Sequence, residues 1–252
     1  MLSQPSVDDH ALGMVHWSDA ALGLTPALDR WQVEMFEHYL GRRILEVGAG
    51  AGRITVIVAE AGRHEELVAI EPSPHFFGLL QRCAGTLPRT TLMPVETGTL
   101  LPAYAEHFDS VYSVHVMEHI EDDRRFLEQM LALTRPGGNV IILVPALQFL
   151  FSQLDRNIGH CRRYNKKMIR VLVGGLPVQI EKLAYNNFLG VLGSLYFSKV
   201  RKVNYQKDET ARRTFFGLYG FFSKYVVPCA RVIEKAAPAP LGLNLTVVLR
   251  KQ

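Results

Sequence analysis

The chain has 252 residues, 48% of them hydrophobic and 21% charged, which excludes the disordered classes and leaves room for one α/β domain with insertions. Its net charge of +4 conceals an asymmetry: residues 1–154 carry 10 basic and 19 acidic side chains, residues 155–252 carry 18 and 5. The C-terminal part therefore faces something acidic, such as a phosphorylated substrate, an anionic membrane surface or the acidic half of a partner subunit, or is a plain solvated surface.

Residues 1–40 are expected to form an N-terminal helical segment; they lack the basic start and apolar run of a signal peptide. From residue 41 the chain alternates. Strand-like apolar runs fall at 43–47 (RILEV), 66–71 (ELVAIE), 90–95 (TTLMPV), 109–114 (DSVYSV) and 139–144 (NVIILV), and helix-length segments fall at 53–61, 74–85 and 122–134. This order predicts an α/β, Rossmann-like doubly wound sheet, mostly parallel, with ligands bound at the carboxyl ends of the strands. The final LNLTVVLRK alternates as an antiparallel last strand, expected to pair with residues 178–184. The whole chain reads as a single domain: a ligand-binding core over 41–145, a cap and substrate-side insertions over 146–240, and the last strand over 241–252.

The first strand runs into LEVGAGAG, residues 45–52. Glycines at 48, 50 and 52 let the backbone approach a nucleotide-like ligand and open a helix beneath it. The dinucleotide fingerprint wants its third glycine at 53, where this chain has Arg53, so a nicotinamide-linked oxidoreductase is disfavoured. Glu46, two residues before the first glycine, suits a ligand with a cationic end, or orients a residue that does. Glu71, followed by Pro72, ends the second strand 19 residues beyond Gly52, the spacing of a carboxylate that grips ribose hydroxyls.

With these motifs in order, the sequence resembles the class I S-adenosylmethionine-dependent methyltransferases. The resemblance rests on RILEVGAGAGRIT, VAIEPS, FDSVYSVHVMEHI and RPGGNVIILVP, and covers roughly residues 40–145. It implies S-adenosyl-L-methionine as cofactor, held by Glu46, Gly48, Ala49, Gly50 and Gly52 at the methionine end and by Glu71 and Pro72 at the ribose. It further implies that Glu96 and Thr97 flank the adenine, although Asp is commoner at position 96, and that His115 is a cofactor-side residue at a position that often carries Asn or Asp, with its neighbours Val116 and Met117 lining the methionine pocket. His119, in MEHI, is a catalytic candidate or fixes its turn.

Downstream, FSQLDRNIGHCRRYNKKMI resembles a D-x-x-x-G-H-x-R-R-Y segment found after the fifth strand in a subgroup of these enzymes, where it caps the substrate cavity. That makes His160 and Tyr164 catalytic candidates, and Asp155, Arg163 and Tyr164 substrate-binding ones. The competing reading is a loop clamp in which Asp155 pairs with an arginine and Tyr164 packs inward. Residues 185–240 carry many aromatics without a family signature: plain core packing is expected, beside a cavity wall, a dimer surface or peripheral membrane contact. The longest apolar stretch, FFGLYGFFSKYVVPCARVI, is interrupted by Lys224 and Arg231, so no membrane span is expected.

Cys83, Cys161 and Cys229 lie too far apart for a zinc site and are odd in number for a disulfide framework, so no metal and a reducing, cytoplasmic location are expected. A small-molecule substrate, acidic or lipid-linked, is expected, with no nucleic acid because no ordered aromatic and basic platform is evident. A homodimer is compatible with this reading. The alternative is a non-catalytic S-adenosylmethionine-binding protein that regulates or assembles with a partner.

Overall fold

The structure, a computed structural model, describes residues 25–195, 209–236 and 239–252. The chain forms two compact units. The larger comprises Asp29–Val144, Lys166–Ala184 and Thr246–Gln252, and the other comprises Met1–Leu28, Pro145–Asn165 and Tyr185–Leu245. Within the span 146–240, where a cap and substrate-side insertions are expected, Lys166–Ala184 falls in the larger unit. Of the expected N-terminal helical segment, residues 1–24 lie outside the described residues.

Helix α1 (Pro26–Glu34) precedes the alternating core. The core then runs β1 (Arg43–Val47), α2 (Arg53–Glu60), β2 (Glu66–Ile70), α3 (Pro74–Ala84), β3 (Thr90–Met93), α4 (Leu101–Tyr104), β4 (Phe108–Val114), α5 (Asp123–Leu133) and β5 (Thr134–Pro145). These elements form where the sequence places apolar runs between helix starters. Pro74 opens α3 with its φ already suited to a helix, and Asp122 caps α5 by accepting from the Arg125 amide at 2.9 Å. Four of the five residues of β1 and of β2 are buried, as befits strands covered on both faces.

After α6 (Gln153–Asn157) and α7 (Lys166–Leu172) come β6 (Val178–Asn186), α8 (Phe188–Leu195), α9 (Glu209–Phe221), a π-helical turn (Phe222–Val226), α10 (Val227–Ala236) and β7 (Asn244–Lys251). One seven-stranded sheet results, in the order β3-β2-β1-β4-β5-β7-β6. The first five strands pair in parallel. Strand β7 runs against both of its neighbours: the Gln252 amide bonds Pro177 and the Leu243 amide bonds Asn187, while the Ala146 amide bonds Leu243 and Lys251 reaches the Thr134 carbonyl. The expected pairing of the last strand with residues 178–184 is thus present.

Chain order reverses between β1 and β4. From β1 the chain steps outward to β2 and β3, then crosses back to place β4 on the other side of β1. A crevice opens at the carboxyl ends of two such strands, because their following loops turn away from each other. Ile44, Leu67, Tyr112, Ile141 and Val248 from the sheet pack with Val33, Phe36, Ile54 and Val58 to hold this region rigid.

Candidate cofactor site

The loop after β1 is shaped by its glycines. Gly48, Gly50 and Gly52 have φ of 73°, 56° and 83°, a left-handed region that costs other residues roughly 1–2 kcal/mol each. The Gly48 and Ala49 amides both donate to the Ile70 carbonyl at 2.9 Å, which fastens the loop to the end of β2. A side chain at Gly48 would place its Cβ 2.5 Å from Val116 Cγ2, and one at Gly52 would meet Leu80 Cδ1 at 2.9 Å. At Gly50, by contrast, an added Cβ meets nothing within 4 Å. All three glycines are favoured by their left-handed backbone, Gly48 and Gly52 also by close neighbours, while space stays open over Gly50.

Glu71 sits just past β2 with its carboxylate turned toward that loop. It accepts from the Gly50 amide at 2.8 Å and from the Ser73 amide at 2.9 Å, one bond to each oxygen. Burial raises its pKa, and the Ser73 and Gly50 amides oppose that rise. Each oxygen keeps a lone pair for a hydroxyl donor, so the group can hold the loop and grip a diol at once. Pro72 lies between Glu71 and Ser73 and starts the turn into α3.

Glu46 departs from expectation. Its side chain is 2% exposed, and Thr55 Oγ1 donates to its Oε2 at 2.6 Å. Burial pushes its pKa up to about 7, against the pull of Thr55 and Tyr112 and with a small push from Glu71. The carboxylate joins β1 to the first turn of α2 from inside, because β1 is covered on both faces and leaves this side chain no route to the loop surface. Arg53, at the start of α2, reaches Asp29 of α1 at 3.5 Å.

His115 follows β4 with φ of 57°, its amide donating to the Leu143 carbonyl at 2.9 Å. The Gln32 side chain lies 3.1 Å from its Nε2, and its Nδ1 faces the fully buried Glu118 carboxylate at 3.3 Å. Gln32 on one side and the Glu118 carboxylate on the other hold the ring in one orientation. Gln32 and Asp29 had no signal in the sequence beyond a helical pattern; only the fold brings α1 to the ends of β1 and β4. His119 is half-buried in a short helical turn, its amide donating to the Val116 carbonyl at 2.9 Å. Glu96 is exposed and Thr97 buried, in the turn after β3.

The smaller unit holds the D-x-x-x-G-H-x-R-R-Y residues, and they form the clamp. Asp155 is 1% exposed; it accepts from the Ser152 amide and hydroxyl, from Arg163 Nε at 2.7 Å and Nη2 at 3.2 Å, and lies 3.0 Å from His160 Nδ1. Burial pushes its pKa up, but His160 and Arg163 outweigh that and hold it at about 2. Arg163 and Tyr164, expected on the substrate side, are 7% and 1% exposed. The Arg163 guanidinium donates twice to Asp155 and, at 3.4 Å, to the Ala146 carbonyl. Tyr164 bridges to Ala146 through its backbone, with the Leu147 amide on the Tyr164 carbonyl and the Tyr164 amide on Pro145. The close i, i+8 pairing of aspartate and arginine gathers the loop inward, which is why neither side chain presents a charge outward.

A parallel sheet with a glycine loop after β1, an acid after β2 and a switch point between β1 and β4 defines the class I methyltransferase fold. Residues 45–142, less than half of the chain, match the family described as a methyltransferase domain, and the fold is the one shared by S-adenosylmethionine-dependent methyltransferases. A tRNA U34 carboxymethyltransferase of Syntrophotalea carbinolica is 32% identical over 126 residues, covering 49% of this chain and 36% of that protein. An uncharacterized methyltransferase of Mycobacteroides abscessus is 34% identical, covering 45% of this chain and 44% of its own length. The chain thus spans less than half the length of these curated relatives. Among solved structures, an S-adenosylmethionine-dependent methyltransferase from Archaeoglobus fulgidus superposes with a TM-score of 0.57 at 14% identity, over 94% of this chain and 99% of that one. The [4+2]-cyclase SpnF does so at 0.58 and 16%, over 88% and 80%, so the likeness fixes the fold and leaves the reaction open.

Proposed function

We propose that this protein transfers a methyl group directly from S-adenosyl-L-methionine to a small molecule in the cytoplasm. The observation that carries the reading is Glu71, whose carboxylate is locked to the glycine loop yet keeps acceptor capacity, beside the open space over Gly50. Gly48, Ala49, Gly50 and Gly52 would receive the methionine end, Glu71 and Pro72 the ribose, and Glu96 and Thr97 the adenine edge. Glu46 and Gln32 act through neighbours, Glu46 by bracing α2 and Gln32 by orienting His115. Bound there, the cofactor supplies an electrophilic methyl whose leaving group departs neutral, so alignment matters more than acid–base chemistry.

The cationic excess of residues 155–252 favours an acceptor that is acidic or lipid-linked. The tRNA in one relative's name belongs to a protein of which this chain covers 36%. Calorimetry with S-adenosylhomocysteine should show binding that Glu71→Ala weakens by about 1–3 kcal/mol, through loss of a charged hydrogen-bond acceptor. Equal affinity in the variant would refute the assignment. Binding without turnover on any metabolite fraction would instead favour a non-catalytic adenosyl-binding protein.

If the acceptor is a hydroxyl, we assign His160 to take its proton. Asp155 accepts from Nδ1 at 3.0 Å and so orients the ring. His160→Asn should then fold normally, bind S-adenosylhomocysteine as wild type does, and lose about 10²–10⁴-fold in turnover. Near-normal turnover at saturating acceptor would leave His160 as a fastener alone.

A further inference from the structure

In the smaller unit, α9, the π-helical turn and α10 follow one another without a break from Glu209 to Ala236. Its inward side carries small side chains: Ser223, Val227 and Ala230 are each 1% exposed. The acid on that side, Glu234, accepts from the amides of Asn187 and Phe188 at 3.0 and 2.6 Å, so its charge is spent at the start of α8.

The outward side is the reverse of what core packing predicts for these aromatics. Leu218, Phe221, Tyr225, Val232 and Ile233 are 47%, 58%, 55%, 68% and 62% exposed, and helical spacing puts them in one stripe. Phe188 and Leu192 of α8 add 40% and 61% exposed apolar surface in the same unit. Tyr196 and Phe197, grouped with these aromatics by sequence, lie outside the described residues.

Charge decides what such a stripe meets. Lys224, Arg231 and Lys235 fall at i, i+7 and i+11 and so project along one flank, with the Lys224 ammonium 5.1 Å from the Tyr225 ring centroid. Within residues 214–236 the sequence holds one acid, the inward Glu234. Contiguous exposed apolar side chains normally mark a contact surface, and a cationic border without acids selects an anionic one. A second copy of this face would set one row of cations against another. Aromatic and aliphatic side chains beside lysines are the pattern of a helix that lies in the plane of a lipid headgroup layer, with the ammonium groups reaching the phosphates.

We infer that the outward face of residues 214–236 docks the protein on anionic phospholipid, as a peripheral surface helix. No helix among the described residues is long and apolar enough to cross a membrane. The contact would be reversible, because a surface helix buries only one side.

The test is co-sedimentation of the full chain with phosphatidylcholine vesicles, with and without phosphatidylglycerol. Binding is expected only to the anionic vesicles and should weaken as salt rises. Phe221→Ser with Tyr225→Ser should lower the vesicle-bound fraction by at least about 10-fold through lost apolar insertion. Lys224→Glu alone should lower it by about 5-fold, on the scale of one cation near an anionic surface. These side chains point outward, so thermal unfolding and S-adenosylhomocysteine affinity should match wild type, which separates this result from failure of the methyltransferase reading. Lack of sedimentation with anionic vesicles at low salt would overturn the proposal, as would equal sedimentation of the Lys224→Glu chain. A dimer in light scattering that the serine pair dissolves, without lipid binding, would also overturn it and make the face a self-association surface.

Discussion

Asp155→Ala should destabilise the protein by about 3–5 kcal/mol, the cost of leaving a buried arginine without its partner. Arg163 is 7% exposed, and its guanidinium makes two of its bonds to this one carboxylate. Removing Asp155 also releases the Ser152 amide and hydroxyl, which both donate to Oδ2, so the first turn of α6 loses its capping box. Urea unfolding at neutral pH reads the loss directly. The pH dependence has a defined sign. With its pKa held at about 2, below the ordinary 3.8, the Asp155 carboxyl contributes stability that is fully present above about pH 4 and disappears as pH falls toward 2. The gap between wild type and Asp155→Asn should therefore narrow across that window. A variant as stable as wild type at neutral pH would show that the clamp holds nothing.

Gly50→Ala should separate ligand space from folding space. The backbone there has φ of 56°, so alanine costs roughly 1–2 kcal/mol of stability for the left-handed conformation. Its methyl would meet no protein atom within 4 Å, so no steric cost is added in the free protein. The same methyl projects into the space where the cofactor backbone would approach, and binding should fall by at least about 10-fold, one RT-scaled step of 1.4 kcal/mol. Gly48→Ala makes the contrast, because its Cβ would sit 2.5 Å from Val116 Cγ2 and should damage folding as well as binding. Thermal unfolding and S-adenosylhomocysteine calorimetry on the two variants give the comparison. If Gly50→Ala binds as tightly as wild type, the cofactor does not pass over this loop.

The core was legible in the sequence because its signals are local. Each strand is a short apolar run, each helix start has a proline, glycine or aspartate at the right place, and the acid at 71 falls at a fixed distance from the glycines; β1 and the start of α2 fall at the residues expected. Backbone propensity and burial act over neighbouring residues, so one chain segment carries the information. The side-chain partnerships were not legible, since they depend on which elements the topology brings together. Nothing in residues 26–34 announces that Gln32 will orient His115, 83 positions away, or that Asp29 will meet Arg53. Glu46 reads from sequence as a charge facing a ligand or as a residue that orients one, and only the fold shows its side chain buried, bonded to Thr55 and with its pKa lifted to about 7. Arg163 and Tyr164 read equally well as substrate ligands or as a clamp, and only the folded loop shows Asp155 taking two of the guanidinium's bonds while a third reaches the Ala146 carbonyl. The aromatics after residue 185 show the same division: their number is written in the sequence, but which of them face outward is decided by the single side of a helix that packing can cover.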